Sequence, residues 1–180
     1  TLNMHFPNKK YNIIYADPAW TFTFWSNKAQ RKVSDKYDLM SEEDIYKLPV
    51  NEIADENCIL FIWVTYPNLI QGLETIKKWG FKYKTCGFSW IKKNKKADSL
   101  FWGMGYYTRS NNEICLLATK GKPKRISSGV HQVVIDKIRE HSRKPDCVRN
   151  RIVELCGDLP RIELFARQKT PGWDVWGNEV

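Results

Sequence analysis

Asp17-Pro18-Ala19-Trp20 sets a carboxylate, a rigid imino acid, a small residue and an indole in a row, directly after the run Asn12-Ile13-Ile14-Tyr15-Ala16. A short apolar run of this kind predicts a buried strand, so the four residues mark its end. There they can hold an amino group. The carboxylate and the Pro18 carbonyl are acceptors, Pro18 fixes its own φ and carries no N–H, and an exposed Trp20 offers a flat apolar face to a planar ring. A planar base with an exocyclic amine fits such a site. The same residues also read as a plain loop, with Trp20 packed in the core and Asp17 capping a neighbouring group, and four-residue motifs arise by chance.

Positioning that strand end requires a sheet. Apolar runs of strand length alternate with segments of helical period, the pattern of an α/β sheet with crossover helices. Residues 57–65 predict a second buried strand, 83–91 and 113–119 two further strands that neighbour each other, and 161–166 a final parallel strand. Ser41 followed by Glu42, Glu43 and Asp44 opens a short helix with a side-chain cap and acids in its first turn. Pro67 stands at a first helical position, Leu69, Leu73, Ile76 and Trp79 follow at helical spacing, and Gly80 supplies the C-cap. Residues 145–155 predict another helix, closed by Gly157, and 171–180 a turn and tail. Two stretches do not fit the sheet pattern. Residues 21–39, with Trp25 and Tyr37, and the glycine- and aromatic-rich 94–108 are expected to be mobile loops over the strand ends, where open α/β sheets bind ligands.

The chain has 180 residues, read as one domain over 1–180 that buries about 70% of its unfolded surface without staples. No long apolar run or signal-peptide pattern appears, which reads as a soluble cytoplasmic protein with no membrane span. The five cysteines show no C-x-x-C spacing and read as reduced core residues; with three scattered histidines they suggest no metal. The net charge of +9 is concentrated. Residues 77–96 carry eight lysines and no acid, 120–125 form a second basic run, and Arg139, Arg143, Lys144, Arg149 and Arg151 a third. Any one lysine reads as solvated surface. Three runs interleaved with Trp90, Phe101, Trp102, Tyr106 and Tyr107 point to a polyanion with stackable bases, that is, nucleic acid.

From Tyr11 to the C-terminus the chain resembles the N6-adenine methyltransferase family, which includes the catalytic subunit of the eukaryotic messenger-RNA adenosine methyltransferase and many small bacterial and phage adenine methyltransferases. The resemblance is carried by Asp17-Pro18-Ala19-Trp20, Leu60-Phe61-Ile62-Trp63-Val64-Thr65, Lys78-Trp79-Gly80-Phe81, Trp90-Ile91-Lys92, Glu113-Ile114-Cys115-Leu116, Lys120-Gly121-Lys122-Pro123, Lys144-Pro145-Asp146 and Ile162-Glu163-Leu164-Phe165-Ala166-Arg167. One departure is Ala19, where the family usually has a second proline; a small residue still lets the turn form.

The resemblance implies a Rossmann-like methyltransferase fold in permuted order, with a mostly parallel central sheet flanked by helices and S-adenosylmethionine as cofactor. It implies that Asp17, Pro18, Ala19 and Trp20 hold the base, with Asp17 also at the cofactor site and no metal. Adenine's amine is a poor nucleophile because its lone pair is delocalised into the ring. Hydrogen bonds from its two N–H groups to Asp17 and the Pro18 carbonyl would raise its electron density, and orientation and electrostatics would supply most of the rate. Arg167, Asn178 and Glu179 match residues that hold the ribose. Residues 108–113 lie where the methionine carboxylate is bound; several family members have lysine at Asn112, so Arg109 or Asn111 takes that part here. Tyr37 matches a tyrosine near the reacting centre.

For the substrate, Lys92, Lys93, Lys95, Lys96, Arg143 and Lys144 are read as phosphate contacts, on DNA in preference to RNA, in a prokaryotic or phage-encoded enzyme. A catalytically silent nucleic-acid-binding partner subunit is the competing reading, opposed by the intact Asp17 and Trp20. A small-molecule amine methyltransferase would leave the basic runs unexplained. A homodimer and a heteromeric complex are both compatible with the sequence.

Overall fold

The computed structural model describes residues 5–20 and 40–180. Seven strands form one sheet: β1 (Tyr11–Ala16), β2 (Ala54–Val64), β3 (Lys82–Lys93), β4 (Asn112–Lys120), β5 (Val133–Lys137), β6 (Arg161–Leu164) and β7 (Asp174–Trp176), in the spatial order β5-β3-β4-β2-β1-β6-β7. β1 runs parallel to β2 and β6, β6 to β7, and β3 to β5, whereas β4 is antiparallel to both β2 and β3. Six strands therefore end on one edge of the sheet, and β4 begins there. Strand order reverses at β1: the chain leaves it toward β2 on one side, while β6, reached from β5 at the far edge through the helix Cys147–Cys156, pairs with its other side; such a switch point opens a crevice at the carboxyl ends.

The pleat divides the core into two layers. Ile14, Ala16, Leu60 and Ile62 face the layer covered by α1 (Glu42–Lys47), α2 (Val50–Ile53) and α3 (Leu69–Lys78). Tyr15, Phe61, Trp63 and Trp90 face the other, covered by α4 (Cys147–Cys156) through Val148 and Ile152. α1 starts as its sequence predicts, with Ser41 Oγ accepting from the Asp44 N–H at 3.1 Å. α3 follows a 3-10 turn at Tyr66–Asn68 that contains Pro67, and stops where Gly80 takes φ +85°, a conformation only glycine adopts cheaply. No helix among the described residues is long and apolar enough to cross a membrane, and the five cysteines are unpaired.

The expected elements are present, with several differences, among them the short helix α2, which no sequence signal announced. β5 lies where no strand was expected: Val133 and Ile135 are exposed and only Val134 is well buried, so its five residues carry too little pattern. The tail expected over 171–180 contains β7. The last long strand stops at Leu164, because Phe165 turns to φ +60°. Residues 21–39, including Trp25 and Tyr37, lie outside the described residues. The segment 94–108, expected to be mobile, is tied down at its base: the Asn94 N–H donates to Ser99 O at 2.9 Å and the Phe101 N–H to Lys92 O at 2.8 Å.

Candidate functional site

β1 delivers Asp17 to the switch point, where its N–H faces Leu164 O of β6 at 3.5 Å. Pro18 then turns the chain, its carbonyl accepting from the Trp20 N–H at 2.9 Å and keeping its second lone pair. Trp20 differs from expectation. It is 4% exposed, packs in the helical layer of the core, and its indole Nε1–H donates to Trp63 O at 3.1 Å. That hydrogen bond pins Pro18 and Ala19 between two fixed points, so Trp20 braces the turn instead of presenting an open face.

The charge at Asp17 does not stand alone. Lys144, 10% exposed, places its ammonium 3.1 Å from Asp17 Oδ2, 3.2 Å from Glu113 Oε1 and 3.1 Å from Ser142 O, which engages all three of its N–H groups. Glu113, at the start of β4, also receives Lys92 at 3.1 Å from the end of β3. The result is a chain of alternating charges, Asp17-Lys144-Glu113-Lys92, along the sheet edge. Both ammonium groups lie over indoles, Lys144 at 5.7 Å from the Trp63 ring centroid and Lys92 at 5.0 Å from that of Trp90. The Trp63 Nε1–H donates in turn to the Tyr15 hydroxyl at 2.6 Å.

These contacts set the proton affinities. Burial pushes the Asp17 carboxyl above its ordinary value, and Lys144 and Arg167 oppose the rise. Burial works to lower the Lys144 ammonium, but Asp17 and Glu113 outweigh it and the net direction is up, so Lys144 remains charged. Lys144 binds Asp17 at Oδ2, and the next residue, Pro18, adds a carbonyl acceptor to the same strand end.

A second framework holds the segment that carries Lys144. Asp146 receives Arg139 at 2.5 Å, Arg143 at 3.2 Å and Arg149 at 3.1 Å, and these cations hold its carboxyl below the usual range. Arg149 also forms a buried pair with Glu163 of β6 at 2.7 Å. Arg143 further donates from the same nitrogen to Gln168 Oε1 at 2.7 Å, while its side chain stays 41% exposed.

The expected cofactor residues lie on the same edge. Arg167 follows the left-handed Phe165 at the end of β6 and is exposed. The Ala166 N–H donates to Trp176 O at 3.0 Å, and Gly177 runs so close to Ala166 that a Cβ would come within 2.6 Å of its carbonyl. Glycine thus lets the tail cross the end of β6, and the exposed Asn178 and Glu179 follow beside Arg167. Together they present exposed donor and acceptor side chains at the carboxyl end of β6. On the opposite side of Asp17, Asn112 donates its amide to the Tyr66 hydroxyl at 2.9 Å, the Asn111 carbonyl accepts from the Lys92 N–H at 2.8 Å, and the Arg109 guanidinium lies 5.4 Å from the Trp102 ring centroid.

The lysine turn after β3 divides. Lys92 belongs to the buried chain of charges, Lys93 pairs with Asp98, and Lys95 and Lys96 are exposed. Lys144 likewise lies inside the site and not on a phosphate track. Glu113, which the sequence sets only within the segment 108–113, carries a signal of its own: a lone acid opening the apolar run 114–118 must be paired if that strand is central.

Comparison with known proteins extends over nearly the whole chain. The MT-A70 family profile matches residues 11–179. The Type II methyltransferase M.MunI of Mycoplasma sp is 34% identical over 97% of this chain and 79% of its own length. The N(6)-adenosine-methyltransferase MT-A70-like protein of Drosophila melanogaster is 27% identical over 95% of this chain, and the N(6)-adenosine-methyltransferase catalytic subunit METTL3 of Homo sapiens 26% over 95%, but this chain spans only 27% and 28% of their respective lengths.

Proposed function

Since this chain belongs to the MT-A70 family of S-adenosylmethionine-dependent N6-adenine methyltransferases, we propose that its substrate is adenine in DNA, held at Asp17 and the Pro18 carbonyl. The observation that carries this reading is the acceptor pair at the switch point, with Asp17 held by a lysine whose N–H groups are all engaged. Arg167, Asn178 and Glu179 would hold the ribose of the cofactor. When bound, S-adenosylmethionine supplies an electrophilic sulfonium methyl group.

The protein's own task is to prepare the amine. The Asp17 carboxylate and the Pro18 carbonyl accept its two hydrogens and direct the nitrogen lone pair out of the ring plane. Lys144 keeps Asp17 ionised and stops it from rotating, because Glu113 and the Ser142 carbonyl fix the ammonium from the other sides. After transfer the nitrogen carries one proton too many, and the Asp17 carboxylate takes it and passes it to water. Such electrostatic preorganisation requires no covalent step.

Preference for DNA rests on similarity. The relatives whose names specify adenosine, a ribonucleoside, are matched at 26–27% over about a quarter of their length, whereas the Type II methyltransferase is matched at 34% over most of its own. The intact Asp17 and its paired lysine favour an active enzyme over a silent partner subunit. With five unpaired cysteines, a reducing prokaryotic or phage-infected cytoplasm suits the chain. The test is incubation with labelled S-adenosylmethionine and matched DNA and RNA oligonucleotides, single- and double-stranded, followed by nucleoside analysis. N6-methyldeoxyadenosine is the expected product. N6-methyladenosine from RNA alone would move the substrate to RNA.

A further inference from the structure

Scattered exposed apolar side chains are ordinary, but a group of them on one segment marks an interaction site. Within six residues of the loop between β3 and β4, Trp102 is 72%, Tyr106 87% and Tyr107 93% exposed. The loop that carries them is built closely. Besides the backbone bonds at its base, the Asn94 amide donates to Ser99 Oγ at 2.8 Å, and side chains on Gly103 or Gly105 would collide with the carbonyls of Ser110 and Thr108. Tyr106 and Tyr107 meet edge to face, 5.0 Å apart at 89°. Rings held in this way lose little freedom when they bind something.

The loop's roots are fixed to the catalytic edge. Lys92, just before it, and Glu113, just after it, are the outer members of the charge chain that ends on Asp17. A strand presenting an adenine to Asp17 would lie along the edge in which this loop is rooted. Its charge suits a polyanion: Lys95, Lys96 and Arg109 are exposed, and Asp98, the sole acid between 94 and 112, pairs with Lys93. The Arg109 guanidinium over the Trp102 ring shows that a flat, electron-poor group is accepted on that indole.

We propose that Trp102, Tyr106 and Tyr107 form a stacking platform for the bases flanking the target adenine, which keeps the strand unstacked while the amine is held at Asp17. This rests on the reading of the site as one for adenine in a polynucleotide. Three rings without a fixed hydrogen-bond partner for a base edge select unstacked strand over duplex more than they select a sequence.

The test uses the full chain saturated with S-adenosylhomocysteine and fluorescent single-stranded DNA containing one adenine. Trp102→Ala, Tyr106→Ala and Tyr107→Ala should each weaken binding by roughly 5- to 100-fold, as expected when one stacked base is lost, with cofactor affinity and the salt slope unchanged. Trp102→Phe should restore most of the loss. Placing an abasic site beside the adenine should weaken the wild type but not the matching alanine variant. Unchanged affinity in all three alanine variants, or additive effects of variant and abasic site, would overturn the platform. A wild-type dimer that Trp102→Ala converts to monomer would reassign the rings to an interface between copies. Methyl transfer by the wild type to the same oligonucleotide separates the two readings: transfer with unaffected variants removes the platform alone, whereas neither transfer nor binding removes the nucleic-acid assignment with it.

Discussion

Lys144 and Lys95 carry the same charge at the same edge of one sheet, and the fold uses them in opposite ways. Lys144 is enclosed by Asp17, Glu113 and Ser142 over the Trp63 ring. Lys95 stands in solvent on a turn between Lys93 and Asp98. What separates them is the strand geometry. β4 enters the sheet antiparallel at the edge where the others end, and so sets Glu113 among their termini as a buried acid that attracts the lysines within reach. A buried charge needs a partner, whereas an exposed one gains little from having one. The interior charges therefore fix geometry at the site, and the exposed ones remain available to phosphates.

This difference predicts unequal costs of substitution. The largest should come from the buried framework. Arg149→Ala strands the Glu163 carboxylate in the core and should destabilise the fold by about 3–5 kcal/mol, measured by urea denaturation. Replacing the pair together, Arg149→Met with Glu163→Leu, should recover most of that stability, because the penalty lies in the unpaired charge.

Lys144→Met should shift the pH dependence of methyl transfer. Burial raises the Asp17 carboxyl, and Lys144 is the main influence holding it down. The acid limb of kcat/KM should already lie above the ordinary carboxylate value of about 3.9, and loss of the lysine should move it further up. A limb that stays in place would detach Asp17 from Lys144. The stability that Lys144 contributes should be complete at neutral pH and fade only as pH rises through its raised value.

Smaller effects belong to exposed groups. Asn178→Ala should weaken S-adenosylhomocysteine binding by about three- to tenfold, the worth of a hydrogen bond, without altering the melting temperature. Calorimetry reads it directly. Lys95→Ser with Lys96→Ser should weaken binding to every sequence alike and lower the salt slope on duplex DNA by about two units, one per phosphate contact. An unchanged slope would show both to be plain solvated charges.

Most of the sheet and the turn at the end of β1 were legible in the sequence because they rest on local signals. The run 12–16, the Ser41 cap and Gly80 each state their structure in a few residues. β5 and β7 were not, since five and three residues at sheet edges carry little alternation. The burial of Trp20 turns on a single hydrogen bond to Trp63 O, a contact between residues 43 positions apart that no local pattern encodes. The inward turn of Lys92 and Lys144 has the same origin: their charge is visible in sequence, but the acid that claims them is placed by strand order.

The central claim is that Asp17, held by Lys144, prepares the amine for transfer. Single-turnover methyl transfer by Asp17→Ala, with the variant saturated in cofactor and in an adenine-containing oligonucleotide, tests it most directly. The account predicts a loss of at least about 10²-fold, the scale for removing one preorganised electrostatic contact. Transfer at close to the wild-type rate would contradict it.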